Sequence, residues 1–223
     1  MTTFRNKAGQ QVIVSDQTLR ACLVAAINDF NVHDGPTLLL PRKRRNGEFV
    51  GDKEQGWGGA SERAIAHRLA FYLELELRES GIVEDGGLVS VDCEYNRHLD
   101  GLKHQRVSPD LLEIVKKARR KVKRISDDSG FYVISVAPDI VVHQRGKDGL
   151  NLLVVEMKKK SNPEIPEYDE EKLKCFTKRG RDEFGYLLGF TVVAVDDVPP
   201  EERKLKLGTP YANGRPRAND DAA

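Results

Sequence analysis

Pro138-Asp139-Ile140-Val141-Val142-His143, the turn signal Arg145-Gly146-Lys147-Asp148-Gly149, and Leu152-Leu153-Val154-Val155-Glu156-Met157-Lys158 together decide the fold. Two apolar runs either side of a Gly-containing turn read as a hairpin, with strands at 139–143 and 152–157. Side chains alternate faces along a strand, so Glu156 and Lys158 share one face and Met157 points into the other layer. An even loop brings Asp139 onto the face of Glu156 and Lys158. A turn centred on Lys147-Asp148 sets Asp139 opposite Glu156, and one centred on Asp148-Gly149 sets it opposite Lys158. An odd loop breaks the arrangement.

Two carboxylates facing each other across a sheet repel, at a cost of about 1 kcal/mol or less when solvated. The cost rises in a partly dry site. A hard divalent cation removes it, because Mg²⁺ binds through one or two carboxylates and keeps several waters. Such an ion polarises a phosphoryl oxygen and lowers the pKa of a bound water. Lys158 is the group to hold that water or to offset charge on phosphorus. The competing reading of Asp139, Glu156 and Lys158 is an ion-pair cluster at the strand ends.

Upstream, residues 1–14 read as a hairpin or extended arm. Ser15 or Asp16 caps a helix whose stripe is Leu19, Cys22, Leu23, Ala26, Ile27 and Phe30. Residues 34–59 form an irregular connection holding the basic cluster 42–45 and Trp57 between glycines. A second helix starts at Ser61 and runs to about Glu79, with Gly81 closing it. Its stripe is Ile65, Ala66, Leu69, Ala70 and Leu73, and Glu62 lies on that same face. A carboxylate there sits at the rim of the core or is aimed at something. Leu88 to Tyr95 reads as a strand. Ser108-Pro109-Asp110 opens a basic helix, 108–124, that carries Lys116, Lys117, Arg119 and Arg120. Pro109-Asp110 repeats the Pro-Asp pair but leads to no strand, and Asp110 reads as a cap. Phe131 to Val136 is extended. A helix follows from Asp169 to Lys178, then a last strand from Tyr186 to Val195. From Val198 onward Pro, Gly and charge dominate, which predicts a disordered tail.

At 223 residues, 39% apolar and 32% charged, the chain is expected to fold as one soluble domain with extensions. The divisions expected are 1–59, an N-terminal arm, helix and loop; 60–197, the main domain; and 198–223, the tail. No apolar run approaches a membrane span, and the expected location is cytoplasmic. Cys22, Cys93 and Cys175 lie far apart without zinc-ligand spacing and read as reduced thiols. The net charge of +1 excludes a polycation, though basic residues gather at 42–45, from Lys116 to Arg124, and at Lys158-Lys159-Lys160. His67 and His143 read as ordinary polar residues.

Pro138-Asp139 followed by Glu156-Met157-Lys158, in the order helix, three strands, helix, strand, resembles the PD-(D/E)xK, or restriction-endonuclease-like, nuclease superfamily over roughly residues 60–195. The resemblance implies an α/β fold with an αβββαβ core: a mixed central sheet flanked by helices, here with an N-terminal helical extension and a disordered C-terminal tail. It implies Mg²⁺- or Mn²⁺-dependent phosphodiester hydrolysis, with Asp139 and Glu156 as metal ligands and Lys158 as the catalytic lysine. Glu62 matches a glutamate often found on the first core helix of that superfamily, as a further metal ligand. Asp169 and Lys172 match positions that support the site. DNA is the expected substrate and endonucleolytic cutting the expected reaction, with Lys116, Lys117, Arg119, Arg120 and Lys160 on phosphates. No membrane partner is expected, and a homodimer or larger assembly is left open. The alternative is a catalytically silent nuclease-fold module that binds nucleic acid or protein within a defence or repair assembly.

Overall fold

Thr2–Arg5 (β1) and Gln11–Val14 (β2) form an antiparallel hairpin, and Gly9 takes a positive φ of 80° in its turn. The computed structural model describes the chain apart from residues 41–58, 96, 99–100, 103, 108–121, 125–131, 148, 162–165, 181–182 and 219–223. Ser15 caps Asp16–His33 (α1), its side chain accepting from the Thr18 amide, which satisfies one of the donors a helix start leaves open. The expected stripe from Leu19 to Phe30 is the buried face of α1. A short helix, Gly35–Leu38 (α2), leads into residues outside the description. Ser61 caps Glu62–Glu79 (α3) in the same way, through the Ala64 amide, and α3 packs against α1.

Ser90–Cys93 (β3) starts the main sheet, and a hairpin of Arg97–His98 (β4) and Gly101–Leu102 (β5) follows. His104–Val107 (β6), Val122–Arg124 (β7) and Tyr132–Ser135 (β8) make a separate three-stranded sheet in the order β6-β8-β7. Tyr132–Ser135, within the stretch expected to be extended, is a strand of this side sheet. One expectation changes here. The basic helix expected over 108–124 does not extend to its expected end, because 122–124 are ladder residues of β7 paired with β8. The stretch with Lys116, Lys117, Arg119 and Arg120 lies outside the described residues, as do the 42–45 cluster and Trp57.

The main sheet is completed by Ile140–His143 (β9), Leu153–Lys159 (β10), Leu188–Val195 (β11), Lys204–Ala212 (β12) and Arg215–Pro216 (β13), with Pro166–Thr177 (α4) between β10 and β11. Its order is β13-β12-β11-β10-β9-β3. It is mixed, since β10 and β11 run parallel and the other pairs antiparallel. Parallel neighbours need a long crossover, and α4 supplies it. Leu153, Val155 and Met157 of β10 belong to the core shared with α1 and α3, whereas Val154 packs with Tyr168, Leu173 and Phe176 of α4. The sheet is therefore covered on both faces, which explains the near-continuous apolar run of its central strand. The chain is an α/β protein with N-terminal helices and a six-stranded mixed sheet. Among the described residues no helix is long and apolar enough to cross a membrane.

The expected disordered tail is a correction. Residues 204–212 pair along β11, and Leu205, Tyr211 and Ala212 are buried. Lys204-Leu205-Lys206-Leu207 alternates with the period of a strand, which an overall composition hides. Asn213 and Gly214 take positive φ of 53° and 72°, the requirement of a tight hairpin turn between β12 and β13. Asn31 of α1 brackets Leu205, accepting from its amide at 2.6 Å and donating to its carbonyl at 3.1 Å. Leu205→Ala is therefore expected to cost about 2–4 kcal/mol in urea unfolding. An unchanged midpoint would mean that β12 does not hold the core together.

Candidate metal centre

The β9–β10 ladder runs from Val142 opposite Leu153 to Ile140 opposite Val155 and stops there. Continued by one residue, this register sets Asp139 opposite Glu156, the arrangement of a turn centred on Lys147-Asp148. Beyond it, β10 keeps β11 on one side as far as Lys159 and, among the described residues, has no strand on the other. Backbone amides on that open side need acceptors. Asp139 supplies one, its Oδ2 accepting from the Met157 amide at 2.6 Å. Glu62, from the first turn of α3, supplies the other, its Oε1 accepting from the Lys159 amide at 2.8 Å. The open edge of β10 thus draws in both carboxylates.

Glu156 is buried on the sheet face covered by α4, and there α4 brings two charged residues one turn apart. The Lys172 ammonium is hydrogen-bonded to Glu156 Oε2 and lies 3.7 Å from Asp169 Oδ1. The Lys158 ammonium lies 2.8 Å from Asp169 Oδ2. Glu156 Oε1 is buried and has no hydrogen-bond partner among the described residues. Burial pushes the Glu156 carboxyl up to about 8, with Asp139 and Asp169 adding to the rise against the Lys172 charge. Burial likewise raises Asp139, assisted by Asp169 and Glu62. Burial alone would lower Lys172, but Glu156, Asp139 and Asp169 outweigh it and hold it above its ordinary value. Two causes act together: burial raises the two acids and opposes the lysine, and the neighbouring carboxylates raise Glu156, Asp139 and Lys172 alike.

The structure brings Asp139, Glu156, Lys158, Asp169 and Lys172 together and sets Glu62 at the rim. Among the described residues no three His, Cys, Asp or Glu side chains gather as a ready ligand set. Glu62, expected to share a metal shell with Asp139 and Glu156, has Oε1 on a backbone amide instead, and Asp169 is engaged by lysines. Asp139 likewise gives Oδ2 to a backbone amide, but it stands beside Glu156, whose buried Oε1 has no hydrogen-bond partner among the described residues. These two carboxyl groups fit a hard divalent cation of the Mg²⁺ type, which binds through one or two carboxylates and completes its shell with water.

His143 is buried with Nε2 3.0 Å from Asp92, and its ring meets the edge of Tyr95. His67 is exposed on α3. Lys160 is half exposed and 3.3 Å from Asp197. The sequence reading missed Lys159. Its ammonium is buried 3.0 Å from the equally buried Asp196 and donates to the Ala60 carbonyl at 3.2 Å. Asp196 also accepts from the Ser161 amide and hydroxyl. Strand alternation held the signal, since Lys158 and Lys159 must face opposite sides.

No family model matches the chain, and no curated protein matches it. Among solved structures it is similar to the crystal structure of SSO0001, at 15% identity over 86% of this chain and 77% of that one. The TM-score is 0.25, and the likeness carries no argument.

Two outcomes follow from these electrostatics. Lys159→Met strands the buried Asp196 carboxylate and is expected to cost about 3–5 kcal/mol in urea unfolding, with Lys159→Met/Asp196→Leu recovering much of it. A single-variant loss below about 1 kcal/mol would remove the buried pair from consideration. A carboxyl raised from 4.5 to about 8 on folding keeps its proton longer in the folded state. Its contribution to stability is thus present at low pH and is lost as pH rises through that window. In EDTA, wild type should lose stability relative to Glu156→Gln between those two pH values, by an amount of the order of a few kcal/mol. Parallel curves would contradict the raised pKa.

Proposed function

We propose that the chain is a metal-dependent nuclease of the PD-(D/E)xK type, with a restriction-endonuclease-like core, and that it cuts DNA phosphodiesters endonucleolytically. The observation that carries this reading is that Asp139 and Glu156 stand just beyond the Ile140–Val155 pair, where β9 and β10 part, with one buried Glu156 oxygen lacking a hydrogen-bond partner among the described residues and Lys172 on the other. The chain order α3-β3-β9-β10-α4-β11 is compatible with the αβββαβ core.

Asp139 and Glu156 would hold Mg²⁺ or Mn²⁺. When bound, such an ion polarises a phosphoryl oxygen and acidifies a coordinated water. Lys158 offsets charge that develops on the phosphoryl oxygens. It is the more exposed of the two site lysines, at 19% against 5% for Lys172, and so the one a backbone phosphate reaches. Asp169 orients it. Glu62 closes the open edge of β10 and adds negative potential next to Asp139. Phosphate contacts away from the cut are assigned to Lys160 and to the basic runs outside the described residues.

The second reading, a silent nuclease-fold module that binds nucleic acid or a protein partner, draws on the same lysines: without a metal, Glu156 and Asp169 are already paired. Plasmid DNA and a matched RNA, each with Mg²⁺ or with EDTA, separate the two readings. Wild type should cut DNA only with the metal. Asp139→Ala and Glu156→Ala should lose about a thousandfold or more, and Lys158→Ala about a hundredfold to a thousandfold. Cutting that is equal in wild type and variants would trace to a contaminant and end the assignment. Metal uptake without cutting would favour the silent module.

A further inference from the structure

We propose that Lys172 is a built-in counter-cation, which holds Glu156 in the metal-free protein and moves onto Asp169 when a divalent ion binds. The inference rests on the metal site proposed above and assigns the resting state of that site.

Three observations point to an exchange and not to a fixed bridge. Lys172 reaches Glu156 from α4, across the interface and not along β10, so its ammonium can withdraw without disturbing the strand that carries the carboxylates. It bonds Oε2 only, and Oε1 remains buried without a hydrogen-bond partner among the described residues. A permanent buried ion pair is expected to satisfy both oxygens, because a buried carboxylate oxygen left bare is costly. Finally, Asp169 Oδ1 lies 3.7 Å from the same ammonium, and the Tyr168 ring centroid lies 5.6 Å from it. Lys172 therefore has a second carboxylate within a small rotamer change. Leaving Glu156 does not strand a buried positive charge, because Lys172 stays within the carboxylate cluster on Asp169 while the ion takes its place at Glu156.

The chemistry sets the sign of the test. If Lys172 competes with the metal, the two are linked, and removing one strengthens the other. Mn²⁺ binding is measured by calorimetry, and thermal unfolding is followed with EDTA or with Mn²⁺, on full-length wild type, Lys172→Met and Lys158→Met. Lys172→Met should melt lower than wild type in EDTA, bind Mn²⁺ about tenfold or more tightly than wild type, and gain more than wild type in melting temperature on adding Mn²⁺. Lys158→Met also removes one positive charge, but from Asp169, and should change affinity by clearly less. If Lys172→Met folds poorly, Lys172→Arg keeps the charge and can engage both Glu156 oxygens, so it should bind Mn²⁺ more weakly than wild type.

Equal or weaker Mn²⁺ binding by Lys172→Met, equal strengthening by both Met variants, or unchanged binding by Lys172→Arg would overturn the exchange and leave the metal site standing. Absence of Mn²⁺ binding in wild type and in every variant would overturn the metal site and the exchange with it.

Discussion

The structure of this site depends on one backbone constraint: β9 leaves β10 after the Ile140–Val155 pair, while β10 continues along β11 for four more residues. A half-paired strand inside a protein presents amides that must find acceptors. The Met157 and Lys159 amides find carboxylates, from Asp139 at the start of β9 and from Glu62 at the start of α3. Two acidic groups from separate parts of the chain are thus brought beside β10, which carries Glu156, by a hydrogen-bonding need of the main chain. Their closeness therefore does not require a bound ion to enforce it.

That origin has an electrostatic consequence. Carboxylates held together by backbone amides remain mutually repulsive, and the fold offsets the repulsion with buried lysines. Glu156 cannot ionise cheaply where it lies, and Lys172 cannot easily lose its proton beside three acids. A buried pair of this kind contributes little net stability compared with apolar side chains of similar size. Val154 packs well on the same strand face against Leu173 and Phe176. The same face of β10 thus carries an apolar contact at Val154 and a charged one at Glu156, two residues apart.

Much of this was legible in the sequence because it follows from short periods. The α1 stripe, the Ser15 and Ser61 caps and the β9–β10 hairpin could be read from local spacing, whereas the hairpin's register was one of several the turn allowed and is decided by the Ile140–Val155 pair. The rest failed for identifiable reasons. The tail was judged by its Pro, Gly and charge content, which concealed the two-residue alternation at 204–207 and the Asn213-Gly214 turn. Residues 131–136 carried a correct strand signal, but no local pattern says which sheet a strand joins. The engagement of Glu62 with the Lys159 amide was invisible because it depends on where β9 ends. The Lys172–Glu156 contact depends on how α4 docks, and spacing on α4 alone shows only that Asp169 and Lys172 share a helix face.

The three consecutive lysines at the end of β10, two within the strand and Lys160 just after it, show how far a charge run can mislead. Read as composition, Lys158-Lys159-Lys160 is a basic patch for phosphates. Read as a strand, it cannot be one patch, because neighbours face opposite layers. Lys158 lies over α4 with Asp169, Lys159 is sealed under α3 with Asp196, and only Lys160 is half exposed. A polyanion approaching this end of the sheet meets one surface ammonium and, beside the carboxylates, the edge of a second. So few contacts cannot supply the affinity that long nucleic acids require, since nonspecific binding scales with the number of phosphates neutralised. Under the proposed function, the grip on nucleic acid comes mainly from basic residues elsewhere in the chain, which leaves Lys158 for the scissile phosphate and Lys159 for the architecture around it.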